Sequence, residues 1–347
     1  MPHARNAGFV GRKPLLKQIE RALRPKARSS PTVALTQAIS GLGGIGKTQL
    51  TIEYVYRHAA DYDAVLWVLA DPPATLATEY ADLARVVGLP ESRGTTKVDE
   101  QARAVRRWLE SPASGRWLLV FDNAEGPEVL KDYLPTRHAG HVLITSRRAH
   151  WPGGVQPIAV LTLTRAEAVK LLLRRSGQAD ADAAAALAEA LGDFPLALAQ
   201  AAGYLAASGL ALGDYLGLFR EHRADLLRRG APPDDYRLTV FATLDLAMRR
   251  IAAPEAEDLL GLIACLAPDA IPRTLLEQAF DPDGAREGSP PRQLRLADAL
   301  AALGRYSLIK AGPQVIEAHR LVQAVAWDRM ASEVQARHAE RAVTLLE

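Results

Sequence analysis

Eight consecutive residues, Gly41-Leu42-Gly43-Gly44-Ile45-Gly46-Lys47-Thr48, combine permissive backbone, a cation and a hydroxyl in the pattern G-x-x-x-x-G-K-T. That combination suits phosphate. Glycines let successive backbone N–H groups curl around phosphate oxygens, and a helix opening behind the loop adds the positive end of its dipole. Lys47 is expected to reach the β- and γ-phosphates, and the Thr48 hydroxyl to ligate magnesium. The expected contacts run from Gly43, Gly44, Ile45 and Gly46 through Lys47 and Thr48 to Gln49.

Such a loop needs a second carboxylate directed at magnesium, carried on the end of a neighbouring strand. Trp117-Leu118-Leu119-Val120-Phe121-Asp122 is an apolar run ending in an acid. Asp122 is expected to hold the metal through a water. The next residue is Asn123, where a water-activating carboxylate would be looked for, and Glu125 reads better as an exposed turn residue than as its substitute. Slow hydrolysis is the expectation. A further strand, His141-Val142-Leu143-Ile144-Thr145, runs into Ser146-Arg147-Arg148, and a cation there could sense the γ-phosphate. Local residues do not choose between this and a solvated basic turn.

These residues must be held by regular elements. Candidate strands are Thr32–Ile39, Ala64–Leu69, Trp117–Phe121 and His141–Thr145, each a nearly continuous apolar run of the kind buried on both faces of a parallel sheet. Amphipathic stretches Thr48–His58, Thr75–Val87 and Lys97–Glu110 lie between them, and Pro157–Val160 could add a short strand. Alternation of this kind implies a parallel sheet sandwiched by helices. After Thr164 the strand signal stops. Thr164-Arg165-Ala166-Glu167 reads as a capping box, followed by helices at about 180–191, 195–207 and 213–228. Residues 229–235, RGAPPDD, read as a linker. Helices are then expected near 238–251, 255–266 and 272–280, followed by a polar loop Asp281–Pro291 and a helix 292–304. A hairpin of Ser307–Lys310 with Val315–Ala318 and a helix near 319–331 complete the order of a winged helix. Residues 331–347 form one more amphipathic helix.

Composition narrows the class without naming it. Hydrophobic residues make up 48% and charged residues 24% of 347, and the net charge is +2. That is ordinary for a globular protein and too nearly neutral to imply nucleic-acid binding. The single cysteine, Cys265, leaves no internal disulfide framework and fits a reducing, cytoplasmic setting. No signal peptide or apolar membrane span is legible.

With those residues in hand, the chain resembles the NB-ARC core of the STAND class of signal-transduction P-loop NTPases. Phe9-Val10-Gly11-Arg12 is similar to the family's N-terminal motif at adenine and ribose, which places Val10, Gly11 and Arg12 at the nucleotide. The loop and Leu119–Asp122 resemble its two Walker motifs. Ile144-Thr145-Ser146-Arg147 resembles its sensor strand, which favours Arg147. Gly192-Asp193-Phe194-Pro195-Leu196-Ala197-Leu198 is similar to the motif whose proline packs near adenine, implicating Pro195 and Leu196. Ala318-His319-Arg320-Leu321 resembles the winged-helix motif whose histidine touches the β-phosphate of ADP. The sequence departs from the family at Lys13, Asn123 and Ala318.

The resemblance implies an α/β nucleotide domain over residues 1–160, a helical domain over 161–230 and a winged helix over 231–332. Residues 333–347 would begin a further helical region of the TPR-like kind. It implies an ADP-bound closed rest state and an ATP-bound open state that self-associates for signalling or defence. Lys47, Asp122 and Arg147 would carry slow Mg2+-dependent hydrolysis, and effector and sensor domains would lie outside this stretch. Two other readings compete. A DNA-binding regulator would use the winged helix, but Arg292, Arg295 and Arg305 offer few phosphate contacts. A motor ATPase of the AAA type fits poorly with Pro195, His319 and the missing second acid.

Overall fold

The computed structural model describes residues 3–23, 35–92, 97–135, 140–148, 151, 157–228, 239–251, 253–268, 270–280 and 290–346. Among the described residues, no single helix is long and apolar enough to cross a membrane. The linker read at 229–235 lies outside them, as do residues 32–34 of the first expected strand and most of the polar loop after Phe280. The chain divides into two compact units, residues 1–41 with 46–161, and residues 42–45 with 162–347.

The first unit is built on a parallel sheet. Its strands are β1 (Leu35–Ser40), β2 (Ala64–Leu69), β3 (Trp117–Ala124), β4 (His141–Ser146) and β5 (Ile158–Ala159), in the order β2-β3-β4-β1-β5. The apolar runs explain this: every residue of β4, and every residue of β3 except Asn123, is buried. Helices α1 (Lys13–Ala22), α2 (Lys47–His58), α3 (Pro73–Val86) and α4 (Val98–Leu109) accompany the sheet, with a one-turn α5 at Pro127–Leu130. The helix α4 opens on Asp99 and Glu100 and closes on Arg106 and Arg107, charges that complement its dipole. Its last residue, Leu109, accepts a hydrogen bond from the buried Trp117 indole at 3.0 Å. Tyr80 of α3 stacks on Phe121 of β3 with centroids 6.1 Å apart, in the middle of the core.

One departure from the expected strands matters for the site. β3 does not stop at Phe121 but continues through Asp122, Asn123 and Ala124. Phe121 pairs with Ile144 and Ala124 with Ser146, so Asp122 and Asn123 together oppose Thr145 alone. This is a bulge, and bulges re-aim side chains at the ends of strands. Asn123 takes the left-handed conformation with φ 64°, which an asparagine tolerates better than most residues. α1 was not anticipated from the sequence. It starts directly after Gly11 and Arg12, both left-handed at φ 71° and 60°.

The second unit is mainly helical: α6 (Arg165–Ser176), α7 (Ala181–Ala190), α8 (Pro195–Ser208), α9 (Leu212–Glu221), α10 (Arg223–Arg228), α11 (Val240–Arg249), α12 (Pro254–Ile263), α13 (Arg273–Ala279), α14 (Arg292–Arg305), α15 (Arg320–Arg329) and α16 (Ser332–Leu346). The expected capping box is present at α6, with Thr164 and Glu167 satisfying each other's backbone. The single helix expected over 213–228 is instead two, because His222 leaves helical geometry at φ −127°. The strand expected from Ser307 begins only at Ile309, since Ser307 is left-handed at φ 57°. β7 (Ile309–Ala311) and β8 (Val315–Ala318) pair antiparallel, and a strand not foreseen, β6 (Ile271–Pro272), joins the other edge of β8. α16 packs against α12 and α13. Arg341 holds it there, donating to both Asp258 oxygens at 3.0 Å and to the Ala279 carbonyl at 3.2 Å.

Candidate functional site

In the first unit the C-terminal ends of the strands gather the polar groups. Gly46, at φ 94°, caps α2 in a conformation that a side chain would strain, and Lys47 and Thr48 open the helix behind it. The Lys47 ammonium is buried and donates to the Gly41 carbonyl at 2.8 Å. Burial pushes its pKa down to about 7, the Arg147 cation adds to that, and Asp122 opposes it. A charge held so uneasily is suited to a polyanion. Thr48 Oγ1 donates to Asp122 Oδ1 at 2.8 Å. Both are oxygen ligands of the hard kind magnesium takes, and that ion leaves its other positions to water and phosphate. The set therefore fits Mg2+, which Thr48 and Asp122 would hold.

The bulge in β3 adds a group that the sequence reading passed over. Thr145 Oγ1 donates to Asp122 Oδ1 at 2.5 Å and accepts from the Asn123 N–H at 2.8 Å. One hydroxyl thus ties both residues of the bulge. Asn123 Nδ2 in turn donates to Asp71 Oδ2 at 2.6 Å, just beyond β2. Thr145 was read only as part of the sensor strand, with no role of its own, and Asp71 carried no signal beyond an acid before Pro72-Pro73. Glu125 is exposed on the turn.

The two arginines after β4 separate. Arg148 Nη1 donates to both carboxylate oxygens of Glu128, at 2.9 and 2.7 Å. Arg147 lies close enough to Lys47 to depress its pKa. Val10, Gly11 and Arg12 precede α1, with Val10 and Arg12 buried. The stretch before them is pinned to α2. Arg5 pairs with Glu53 at 3.0 and 2.9 Å, and Asn6 Nδ2 donates to Gln49 Oε1 at 2.7 Å. Gln49 is thereby placed beside the N-terminal segment as well as behind the loop.

Within the second unit the remaining expected residues come together. Gly192 and Asp193 are both left-handed, at φ 64° and 55°, and turn the chain so that Pro195 opens α8. Arg165 clamps Asp193 with two hydrogen bonds, at 2.8 and 3.1 Å. His319 caps α15: its Nδ1 accepts from the Leu321 N–H at 3.2 Å. That leaves Nε2 to carry the proton, and it lies 2.9 Å from the Gly192 carbonyl. The imidazole centroid is also 5.2 Å from that of buried Phe194. Residues Leu42–Ile45, with Gly43 and Gly44 among them, group with this unit. A Cβ on Gly44 would meet Leu196 Cδ2 at 2.9 Å and Phe194 Cε1 at 3.2 Å, so glycine is required there.

The parallel sheet, the loop and the Thr48–Asp122 pair decide the class. The fold is that of a P-loop ATPase. It is similar, at a TM-score of 0.60 and 15% identity, to the Walker-type ATPase of Pyrococcus abyssi, covering 94% of this chain and 98% of that one. The ORC2 protein of Aeropyrum pernix, solved as ADPNP–ADP complexes, matches at a TM-score of 0.54 and 15% identity over 100% of this chain and 96% of that one. In sequence the chain is 25% identical to a nucleotide-binding leucine-rich repeat (NLR)-like protein of the fungus Hyaloscypha variabilis, over 94% of its length and 35% of the relative's. It is 28% identical to the regulatory protein AfsR of Streptomyces griseus, over 73% of its length and 26% of that protein's. It thus spans about a third or less of these curated relatives. Residues 248–335 match a domain of unknown function, DUF7779.

Proposed function

We propose that the chain is the nucleotide-operated switch of a larger signalling protein, of the NB-ARC/STAND type. It would rest closed on ADP and open to self-associate on ATP. The observation that carries this reading is the His319–Gly192 hydrogen bond of 2.9 Å. It fastens the segment expected at the β-phosphate to the segment that carries Pro195 and Leu196, expected at adenine. Residues 231–332 act as a winged helix devoted to the nucleotide, with β7 and β8 as its wing. Lys47 and Arg147 contact the phosphates, Thr48 and Asp122 hold Mg2+, and Val10, Gly11 and Arg12 line the adenine and ribose. When ADP is bound, the segment that His319 opens and the α8 start, fastened together by the His319–Gly192 bond, hold it from one side. ATP binds without the His319 contact, and that differential contact shifts the population to the open form. Effector and sensor domains flank this stretch in the whole protein, which works in the cytoplasm. Similarity to an NLR-like protein and to a regulatory protein supports a switch over a metabolic enzyme.

The test is chemical. The purified protein is denatured and the released nucleotide weighed by mass spectrometry, with ADP expected near one per chain. A His319→Ala variant should release ADP faster, and a Lys47→Ala variant should release none. Nucleotide-free wild-type protein that does not take up ADP or ATP in a titration would remove the reading.

A further inference from the structure

Residues 3–9 run as a strap along one stripe of α2, the helix that Lys47 and Thr48 open. Asn6 Nδ2 donates to Gln49 Oε1 at 2.7 Å, and Arg5 pairs with Glu53 at 3.0 and 2.9 Å. The Tyr56 hydroxyl donates to the His3 carbonyl at 2.9 Å. Gln49, Glu53 and Tyr56 are spaced to lie on one side of a helix. As the strap advances from His3 to Asn6 its partners step back from Tyr56 to Gln49. It therefore runs antiparallel to α2 and delivers the chain to the phosphate end of that helix. We propose that Asn6 is a positioning residue for the base end of the nucleotide, which sets Phe9–Arg12 at a fixed spacing from the start of α2. This deepens the reading above and rests on it, since there Val10, Gly11 and Arg12 line the adenine and ribose.

Asn6 spends its side chain on two tasks at once. Its Oδ1 accepts from the Gly8 N–H at 2.8 Å and its backbone carbonyl from the Phe9 N–H at 3.0 Å, which closes the turn leading into Phe9. Its Nδ2 then serves Gln49. The chemistry of the two ends fixes the amide: an N–H can meet only an acceptor, so oxygen faces Gly8 and NH2 faces Gln49. One side chain thus sets both the shape of the turn and its distance from the residue after Thr48.

The other contacts anchor the strap's far end. The Glu53 carboxylate is buried, and the Arg5 guanidinium bonded to both its oxygens, with Arg57 beside it, holds its pKa below the usual range. The His3 ring meets the Trp67 indole of β2 edge-on, with centroids 5.2 Å apart. A strap anchored in this way pre-orders Phe9–Arg12, so a ligand that reaches them does not have to order them itself. Phosphates need no such help, because Lys47 and Thr48 stand on α2 itself. Loss of Asn6 is therefore felt by a ligand that carries a base and not by bare phosphates.

The experiment titrates MgADP and magnesium pyrophosphate, by calorimetry, into nucleotide-free wild type, Asn6→Ala, Asn6→Asp and Arg5→Ala. Asn6→Ala should weaken ADP by about tenfold, the worth of the hydrogen bonds that order the turn, with pyrophosphate within about twofold of wild type. Arg5→Ala should show the same selectivity with a smaller loss, because Asn6 still holds the turn. Asn6→Asp keeps the acceptor for Gly8, and the Gln49 amide can turn over to donate, so ADP affinity should return to near wild type. Equal weakening of ADP and pyrophosphate in Asn6→Ala, unchanged ADP affinity, or Asn6→Asp as weak as Asn6→Ala would overturn the proposal. Where Asn6→Ala folds poorly, the other two variants decide. Near-wild-type ADP affinity in Asn6→Asp with a selective loss in Arg5→Ala supports the proposal, and any other pairing overturns it. Wild type that binds ADP no tighter than pyrophosphate overturns it while leaving the phosphate site standing. Wild type that binds neither removes the switch as well.

Discussion

The Nε2–H of His319 donates to the carbonyl oxygen of Gly192 at 2.9 Å, across 127 residues of chain. The pairing depends on Gly192 having no side chain. A Cβ there would lie 2.7 Å from His319 Cε1 and 2.8 Å from Nε2, and the backbone is left-handed at φ 64°.

Gly192→Ala should therefore cost roughly 2 kcal/mol, the sum of a strained backbone and a displaced ring. Urea unfolding reads the loss directly. Under the proposed function the same variant should also speed ADP release, as His319→Ala does. A variant that unfolds at the wild-type midpoint would show that the contact is not tight.

Thr145→Val removes one hydroxyl from two partners. It leaves the Asn123 N–H without its acceptor and Asp122 without one of its donors. Stripping a buried hydrogen bond this way costs about 1–3 kcal/mol. The expected result is a lower melting temperature together with a higher Mg2+ requirement for nucleotide binding, both restored by Thr145→Ser. Normal Mg2+ dependence in the valine variant would argue that Asp122 is positioned by other means.

His141 should make the first unit acid-sensitive. It is buried, its Nδ1 lies 2.7 Å from the Tyr62 hydroxyl, and Arg116 stands nearby. Burial first, and the Arg116 cation second, push its pKa down to about 4 from 6.5. The unfolded chain then binds more protons than the folded one between pH 4 and 6.5. Stability is whole above about 6.5 and falls as pH drops towards 4. His141→Gln, which can still accept from Tyr62, should flatten the melting-temperature profile over that window, a difference on the order of 2 kcal/mol at its acid end. Parallel profiles for the two proteins would assign the acid loss elsewhere.

Asp258→Ala should loosen α16. It leaves the Arg341 guanidinium without the carboxylate it bonds twice at 3.0 Å, and His338 without the anion 3.7 Å away. Arg341 and Asp258 are partly exposed, so the loss is expected nearer about 2 kcal/mol than the roughly 3–5 of a fully buried pair. Amide hydrogen exchange should show α16 opening before α12. Unchanged protection of α16 would mean that apolar packing alone holds the helix.

The architecture of the first unit was largely legible, because parallel strands covered on both faces must be apolar throughout. Thus β2 has the expected bounds, and β4 extends the expected strand only by Ser146. What the pattern could not carry was the bulge, since hydrophobicity reports which faces are buried and not which residues pair. The expected strand ended at Phe121 with Asp122 just past it, whereas β3 runs on to Ala124 and sets Asp122 and Asn123 against Thr145. In the second unit the helices were found by their caps and periodicity, but the break at His222 and the two-residue β6 carry no periodic signal. Arg147 and Arg148 look alike in local sequence; in the structure Arg148 pairs with Glu128, whereas Arg147 lies close enough to Lys47 to depress its pKa.

By itself the sequence carried the expectation of phosphate chemistry at Gly41–Thr48. That site is made from contiguous residues, so its glycines, lysine and hydroxyl are written side by side. The tertiary structure alone decided what surrounds it. Thr145 bridging Asp122 and Asn123, Asp71 holding the Asn123 amide, and His319 meeting Gly192 join residues 22 to 127 positions apart. Such contacts are set by strand order and bulge register in one unit and by helix packing in the other. No local pattern records them.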